Sequence, residues 1–145
     1  MPKPFALAFS LATGAALLSA PALSTDGGRK LDTSLTGAAE VPGPGDSDGS
    51  GTAAVTVNAG QNQVCYKLSV TNIATATMAH IHEAAVGAAG PVVVALAPPV
   101  TGSSAACVTV SRELALAILK SPANYYVNVH NEPFPAGAIR GQLAK

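Results

Sequence analysis

The chain has 145 residues, enough for one domain, and its formal net charge is zero. Only 11% of the residues are charged, so neither a nucleic acid nor an anionic membrane surface is indicated as a partner. Hydrophobic residues make up 48%, but tryptophan is absent, and 14 glycines and 11 prolines punctuate the chain. This composition favours short strands joined by tight turns, and therefore an all-β fold.

The start of the chain has the features of an export signal. Lys3 lies in a short basic segment, residues 5–18 are almost all apolar, and Ala20 and Ala22 fit the small-residue rule for cleavage. A membrane anchor is the alternative, but roughly 14 apolar residues are short for a bilayer span. No membrane span is expected after cleavage, and we predict a secreted or periplasmic protein. The predicted segments are a signal peptide over residues 1–22, a flexible leader over residues 23–30 and one domain over residues 31–145.

Alternation of apolar and polar residues indicates eight short strands in this domain. The third has the clearest pattern, with Val64, Tyr66, Leu68 and Val70 on one face. The predicted strands cover residues 31–36, 52–57, 64–70, 75–82, 91–96, 106–110, 125–130 and 138–143.

The period changes once, after the sixth predicted strand. Ser111 is a candidate N-cap, Leu114 and Ile118 are spaced i, i+4, and Pro122 ends the run. These features predict one short helix over residues 111–120. Eight strands with a single helix indicate an antiparallel sandwich or barrel of Greek-key type.

Cys65 and Cys107 are the only cysteines in the chain. In an exported protein such a pair usually forms a disulfide; a thiolate metal site or a catalytic cysteine is the alternative. Neither cysteine has a histidine next to it in sequence, which favours the disulfide. Both cysteines alternate with the apolar residues of their strands, so the bond is predicted on the outer surface of a sheet.

Two of the three histidines, His80 and His82, lie two residues apart in the fourth predicted strand. Alternate side chains of a strand point the same way, so the two imidazoles share one face. Such a pair chelates transition metals, and imidazole suits both copper and zinc. His130 ends another predicted strand and would complete a three-histidine site if it converges with the pair. The alternative is that the three histidines only stabilise the fold.

Four further residues are given supporting roles around these histidines. Asn128 shares a strand face with His130, and Glu132 lies in the following loop, so each is a candidate to orient an imidazole. Met78 lies on the histidine face, where it either offers sulfur to copper or packs in the core. Arg140 is predicted to be structural, holding loop carbonyls or Glu132.

Five segments in fixed order carry a family resemblance: LTGAAEVP at 35–42, AHIH at 79–82, GPVV at 90–93, YVNVH at 126–130 and PAGAIRGQL at 135–143. They are similar to the motifs of the CHRD family, a domain first noticed in the developmental inhibitor chordin and common in exported bacterial proteins. The pair of Cys65 and Cys107 also looks like that of bacterial members. The resemblance implies the family's fold, while the family's biochemical function is not settled.

A weaker resemblance, to copper-zinc superoxide dismutase, is carried by residues 80–83. It implies an immunoglobulin-like Greek-key barrel. The dismutase needs four histidines for copper and further histidines with an aspartate for zinc, so three histidines cannot assemble its two-metal site.

The sequence shows no Ser/His/Asp triad, paired-carboxylate site or nucleotide fingerprint. We therefore predict an exported, non-enzymatic protein that binds one copper or zinc ion through His80, His82 and His130. The alternative is a structural or interaction module with an extracellular protein partner, in which the histidines serve the fold alone.

Overall fold

The computed structural model describes residues 28–144, a predominantly antiparallel β-structure. One α-helix, α1 (Arg112–Lys120), and two 3₁₀ turns, Gly37–Ala39 and Pro122–Asn124, accompany the strands of this part of the chain. The predicted signal peptide lies outside the described residues. The strands are β1 (Arg29–Lys30), β2 (Thr33–Thr36), β3 (Ser50–Asn58), β4 (Gln63–Thr71), β5 (Ala76–Glu83), β6 (Val92–Leu96), β7 (Ser103–Thr109), β8 (Tyr125–Asn131) and β9 (Ile139–Gln142).

The strands form one sheet in the order β6-β5-β8-β9-β2-β3-β4-β7, with β1 paired to β3. All of these pairs are antiparallel. β6 and β7 are consecutive in sequence but lie at opposite ends of this order, so the chain crosses over as in a Greek key.

The two end strands approach each other at Ala97, directly after β6. The Ala97 N–H donates to the hydroxyl of Tyr66 at 2.7 Å, and the Ala97 carbonyl accepts from the hydroxyl of Ser104 at 2.7 Å. The sheet is therefore a nearly closed barrel. This confirms the predicted antiparallel architecture of about eight strands with one short helix.

The inner face of the sheet forms the hydrophobic core. Aliphatic side chains from almost every strand are fully buried there, as alternation predicts. The helix packs Ala115 and Ile118 into this core, and the Ser111 side chain accepts from the Leu114 N–H at 3.0 Å, which is the predicted N-cap. Within residues 28–144, no helix is long and apolar enough to cross a membrane.

Several strands extend beyond their predicted ends. Arg29 and Lys30 pair with β3, which places these two residues in the sheet rather than in a flexible leader. β3 begins at Ser50, inside a predicted loop, because that residue pairs with Thr71 of β4. Likewise β7 begins at Ser103, which pairs with β4 as well. Pairing with a long neighbouring strand thus overrides a local sequence typical of loops.

The predicted disulfide is confirmed. Cys65 of β4 and Cys107 of β7 lie directly opposite each other, and their sulfur atoms are bonded at 2.04 Å. Cys107 is exposed and Cys65 half-buried, so the bond lies on the outer face of the sheet as expected. It attaches the end strand β7 to the rest of the barrel.

Candidate metal centre

The three histidines converge on the outward face of the paired strands β5 and β8. In this pairing His80 lies opposite Asn128, and His82 lies opposite Tyr126. His130 follows two residues after Asn128 on the same face. One ligating nitrogen from each imidazole lies within 4.8 Å of the other two. The structure therefore brings together the three residues that the sequence proposed as one site.

Backbone carbonyls fix two of the three rings. The Nδ1 atom of His82 lies 2.9 Å from the carbonyl oxygen of Gly90, and the Nδ1 atom of His130 lies 3.0 Å from that of Pro135. A carbonyl only accepts, so each Nδ1 carries the proton and each Nε2 carries the lone pair. This is the tautomer in which Nε2 ligates a metal while a carbonyl orients the ring.

The ring of His80 contacts the ring of His130 directly. His80 Nδ1 lies 3.1 Å from His130 Nε2, so in the metal-free protein one of these two nitrogens donates a proton to the other. Since His130 already carries its proton on Nδ1, the neutral form of the pair has His80 as the donor. If a metal ion were bound between them, His80 would carry its proton on Nε2, so that its Nδ1 and the Nε2 of His130 would both offer lone pairs.

The Nε2 atom of His82 is buried and has no hydrogen-bond partner among the described residues. The side chain is only 8% exposed. Buried polar atoms are nearly always satisfied, and leaving one unpaired costs about 1–3 kcal/mol. A lone pair held unpaired beside two other imidazoles is what a metal site requires.

Burial also favours the neutral form of two of the three rings. Desolvation lowers the pKa of His80 below its ordinary value, and the charges of His130 and His82 lower it further. Desolvation likewise lowers the pKa of His130, although its bond to the Pro135 carbonyl acts in the opposite direction. Neutral imidazoles are the form that ligates metals, so these two rings stay competent to pH values below 6.5.

A family model for the CHRD domain matches residues 31–143. The chain belongs to the CHRD domain family. No curated protein and no solved structure matches it in the comparisons made. The weaker resemblance to copper-zinc superoxide dismutase therefore stays a prediction.

In this CHRD domain, the Tyr126 ring stacks on the His82 imidazole and is itself in contact with the guanidinium group of Arg140. The ring of Tyr126 lies parallel to that of His82, with centroids 4.7 Å apart. The guanidinium carbon of Arg140 lies 3.4 Å from the centre of the same tyrosine ring. Tyr126 is thus held between a histidine and a cation, and its position fixes the plane of the imidazole.

Arg140 is buried and holds a loop of the CHRD domain over the site. Its guanidinium donates to the carbonyls of Ala88 at 2.8 Å and Ala85 at 3.1 Å, and to the side-chain oxygen of Gln142 at 3.3 Å. The expectation that Arg140 holds loop carbonyls is met, but Glu132 is not one of its partners. The same loop contains Gly90, whose carbonyl orients His82.

Asn128 lies between the histidines and a second buried group that the sequence did not reveal. It is 2% exposed, and its side chain interacts with the carboxyl group of Glu40 and lowers the pKa of that group. Burial raises the pKa of Glu40 to about 7, against the charge of Arg140, which lowers it. A Cβ at Gly137 would clash with this carboxyl group, and the φ of +147° at this residue is strained for any side chain, so glycine is favoured there. No hydrogen bond joins Asn128 to a histidine in the described residues, so its predicted orienting role stays a prediction.

Glu132 and Met78 are both exposed. Glu132 is exposed on the loop after β8 and makes no hydrogen bond to a described residue. Met78 is 46% exposed, which makes the interpretation of this residue as a core methionine wrong. It lies directly opposite His130 in the pairing of β5 with β8.

Sequence reasoning missed Tyr126, Glu40 and the two ring-orienting carbonyls. Tyr126 had a signal, because it alternates with Asn128 and His130 along one strand face. Glu40 had only its place in the first family motif, far from the histidines in sequence. Backbone carbonyls leave no trace in residue identity at all.

Proposed function

We propose that this CHRD domain is an exported, non-catalytic module that binds one transition-metal ion, copper or zinc, through His80, His82 and His130. The observation that carries the proposal is the buried, unpaired Nε2 of His82, within 4.8 Å of ligating nitrogens on the other two rings. Three neutral imidazoles with an open fourth position match the ligand preference of both metals.

The surroundings of the site support this role. Two rings are oriented by carbonyls that select the Nε2 lone pair, which is the usual arrangement behind a metal-binding histidine. The Tyr126 ring fixes His82 as well. A site whose ligands are already in position loses little conformational entropy when it binds.

Export is part of the proposal. The sequence predicts a signal peptide over residues 1–22, and the disulfide between Cys65 and Cys107 fits an oxidising compartment. An exported module with one open metal site suits metal capture or transfer outside the cytoplasm.

A purely structural role is the second candidate, and the same hydrogen bonds favour it. His82 ties the loop at Gly90 to the sheet, and His130 ties the loop at Pro135. In that case the three rings join loops to strands, and the domain serves as a structural or interaction module with an extracellular partner.

Calorimetric titration of Cu(II) and Zn(II) into the wild type and His→Ala variants separates the two roles, with thermal melts of the metal-free proteins alongside. His80→Ala is the most informative variant, because His80 is half-buried and its one hydrogen bond among the described residues is to His130. We expect it to lose most of the metal affinity while keeping the wild-type melting temperature within a few degrees. Glu83→Gln is the matched control, since Glu83 is exposed beside His82 and bonds Tyr125 instead.

His82→Ala should cost stability as well as metal affinity. It leaves the Gly90 carbonyl without its donor and removes the stack on Tyr126, which should cost about 1–3 kcal/mol. No saturable uptake by the wild type, with every histidine variant destabilised, would leave only the structural role.

The pH dependence of uptake gives a second readout. Protons compete with the metal for imidazole, and the pKa values of His80 and His130 are lowered by burial. Uptake should therefore weaken as the pH falls, and the lowered pKa values of His80 and His130 should move that loss to lower pH.

A further inference from the structure

We propose that the ion held by this site is reduced copper, Cu(I), and that the thioether sulfur of Met78 supplies the fourth ligand. This inference rests on the proposed metal-binding function and deepens it, because it selects one metal and one oxidation state.

The first argument is position. Met78 precedes His80 by two residues on β5, so both side chains leave the strand on the same face. Met78 also lies directly opposite His130 in the pairing with β8. It therefore adjoins two of the three histidines. The register of β5 against β8 shifts between Ala76 and Met78, and such bulges redirect side chains at functional sites.

The second argument is exposure. Met78 is 46% exposed and belongs to neither the buried core nor the partly buried residues that pack against it. The only other methionine of the chain is Met1, so this thioether is the single one in the described domain. Packing does not account for a large apolar side chain on the rim of a histidine cluster.

The third argument is the shape of the cluster. Loops cover His82 at Gly90 and His130 at Pro135, and both side chains are less than 10% exposed. His80 remains half-buried. The open coordination position therefore faces the side of the cluster where Met78 lies.

The fourth argument is chemistry. A thioether is a soft, neutral ligand that binds Cu(I) well, whereas Zn(II) prefers imidazole, thiolate and carboxylate. Three imidazoles and one thioether carry no charge, so they do not neutralise the ion. Burying an uncompensated divalent ion costs more than burying a monovalent one. No carboxylate belongs to the cluster in the described residues. A neutral, partly soft donor set thus favours Cu(I) over both Zn(II) and Cu(II).

The test compares Met78→Leu with the wild type in anaerobic competition titrations. Cu(I) is competed against bicinchoninate, and Zn(II) against a chromophoric chelator. Val92→Leu is the control, because Val92 is 49% exposed and lies on β6 opposite His82. We expect Met78→Leu to weaken Cu(I) binding roughly tenfold or more while Zn(II) affinity stays within about twofold. The control should change neither affinity.

X-ray absorption at the copper edge provides an independent readout. The wild type loaded with Cu(I) should show one sulfur neighbour, and Met78→Leu should show nitrogen neighbours alone. Unchanged Cu(I) affinity in Met78→Leu, or an equal loss for both metals, overturns the assignment of Met78 while leaving the three-histidine site standing. Absence of uptake of either metal by the wild type overturns the metal site itself.

Discussion

The two halves of the barrel use the outer face of the sheet in opposite ways. In β4 the outward residues Cys65, Lys67 and Ser69 are exposed or half-buried, and the neighbouring end strand β7 has exposed residues along its length. In β8 all seven residues are buried, including the outward-facing ones. The strands alternate in both halves, so the difference does not arise within them.

The difference arises from three loops that fold over β5, β8 and β9. The loop after β2 contributes Glu40, the loop after β5 contributes the carbonyls bound by Arg140, and the loop after β8 contributes Pro135. They create a second interior of polar side chains, in which Nε2 of His82, one carboxyl oxygen of Glu40 and the amide oxygen of Asn128 have no hydrogen-bond partner among the described residues. The strands thus place the side chains on one face of the sheet, and the loops that enclose this face complete the site.

Removing Arg140 should produce the largest loss of stability. Arg140→Ala leaves the carbonyls of Ala85 and Ala88 without their donor and removes the cation above Tyr126. We expect a loss of roughly 3–5 kcal/mol in the free energy of unfolding, measured by denaturant titration. Lys67→Ala, on the exposed outer face of β4, should change it by less than about 0.5 kcal/mol. Similar losses for both variants would remove the contrast between the two halves.

The exposed half should depend on its covalent bond instead. The disulfide links residues 42 positions apart, for which the chain-entropy model gives ~4 kcal/mol as an upper value. Replacing Cys65 and Cys107 together by Ala should lower the melting temperature without changing metal uptake, because the bond lies in the other half of the sheet. Intact mass of the isolated protein should be about two units lower than after reduction, since two hydrogens are lost. Loss of metal affinity in the double variant would contradict this independence.

Glu40 should give the smallest and most specific effect, a change with pH. Its pKa is about 7 in the folded protein against 4.5 for the free side chain. Between these values the folded state retains a proton that the unfolded state has lost, so stability falls as pH rises. Glu40→Gln stays neutral, and its advantage over the wild type should grow across this window to at most about 3 kcal/mol.

The matched control for that measurement is Glu132→Gln, which alters an exposed carboxylate in the loop after β8. Thermal or denaturant unfolding at several pH values should show no pH-dependent difference for it. A constant difference between Glu40→Gln and the wild type at all pH values would show that the Glu40 carboxyl ionises as freely as an exposed one.

The predictability of this molecule from sequence follows the same division. Alternation is a local property, so it placed most of the strands, the outer-face disulfide and the shared face of His80 and His82 correctly. The end of β8 also had a readable polar face, which led to His130 as the third member of the cluster. Strand ends were less accurate, because pairing with β4 extended β3 and β7 into segments typical of loops.

The sequence could not predict which loops cover the site. Glu40 lies 88 positions before Asn128, and only the assembled barrel brings their side chains together. Alternation predicts that Met78 lies on the same face as the histidines, but it does not predict where the covering loops end. It is exposed because the loops enclose His82 and His130 and end before the rim.

The stack of His82 on Tyr126 gives the protein an optical property of its own. The chain has no tryptophan and three tyrosines, so tyrosine dominates its ultraviolet emission. Tyr66 belongs to β4 in the opposite half, and Tyr125 is turned to the other face of β8. Tyr126, at 4.7 Å from an imidazole of the cluster, is the emitter that a paramagnetic ion at this position would quench. Quenching in unlabelled protein would therefore report Cu(II), which has an unpaired electron, and would disappear on reduction to diamagnetic Cu(I).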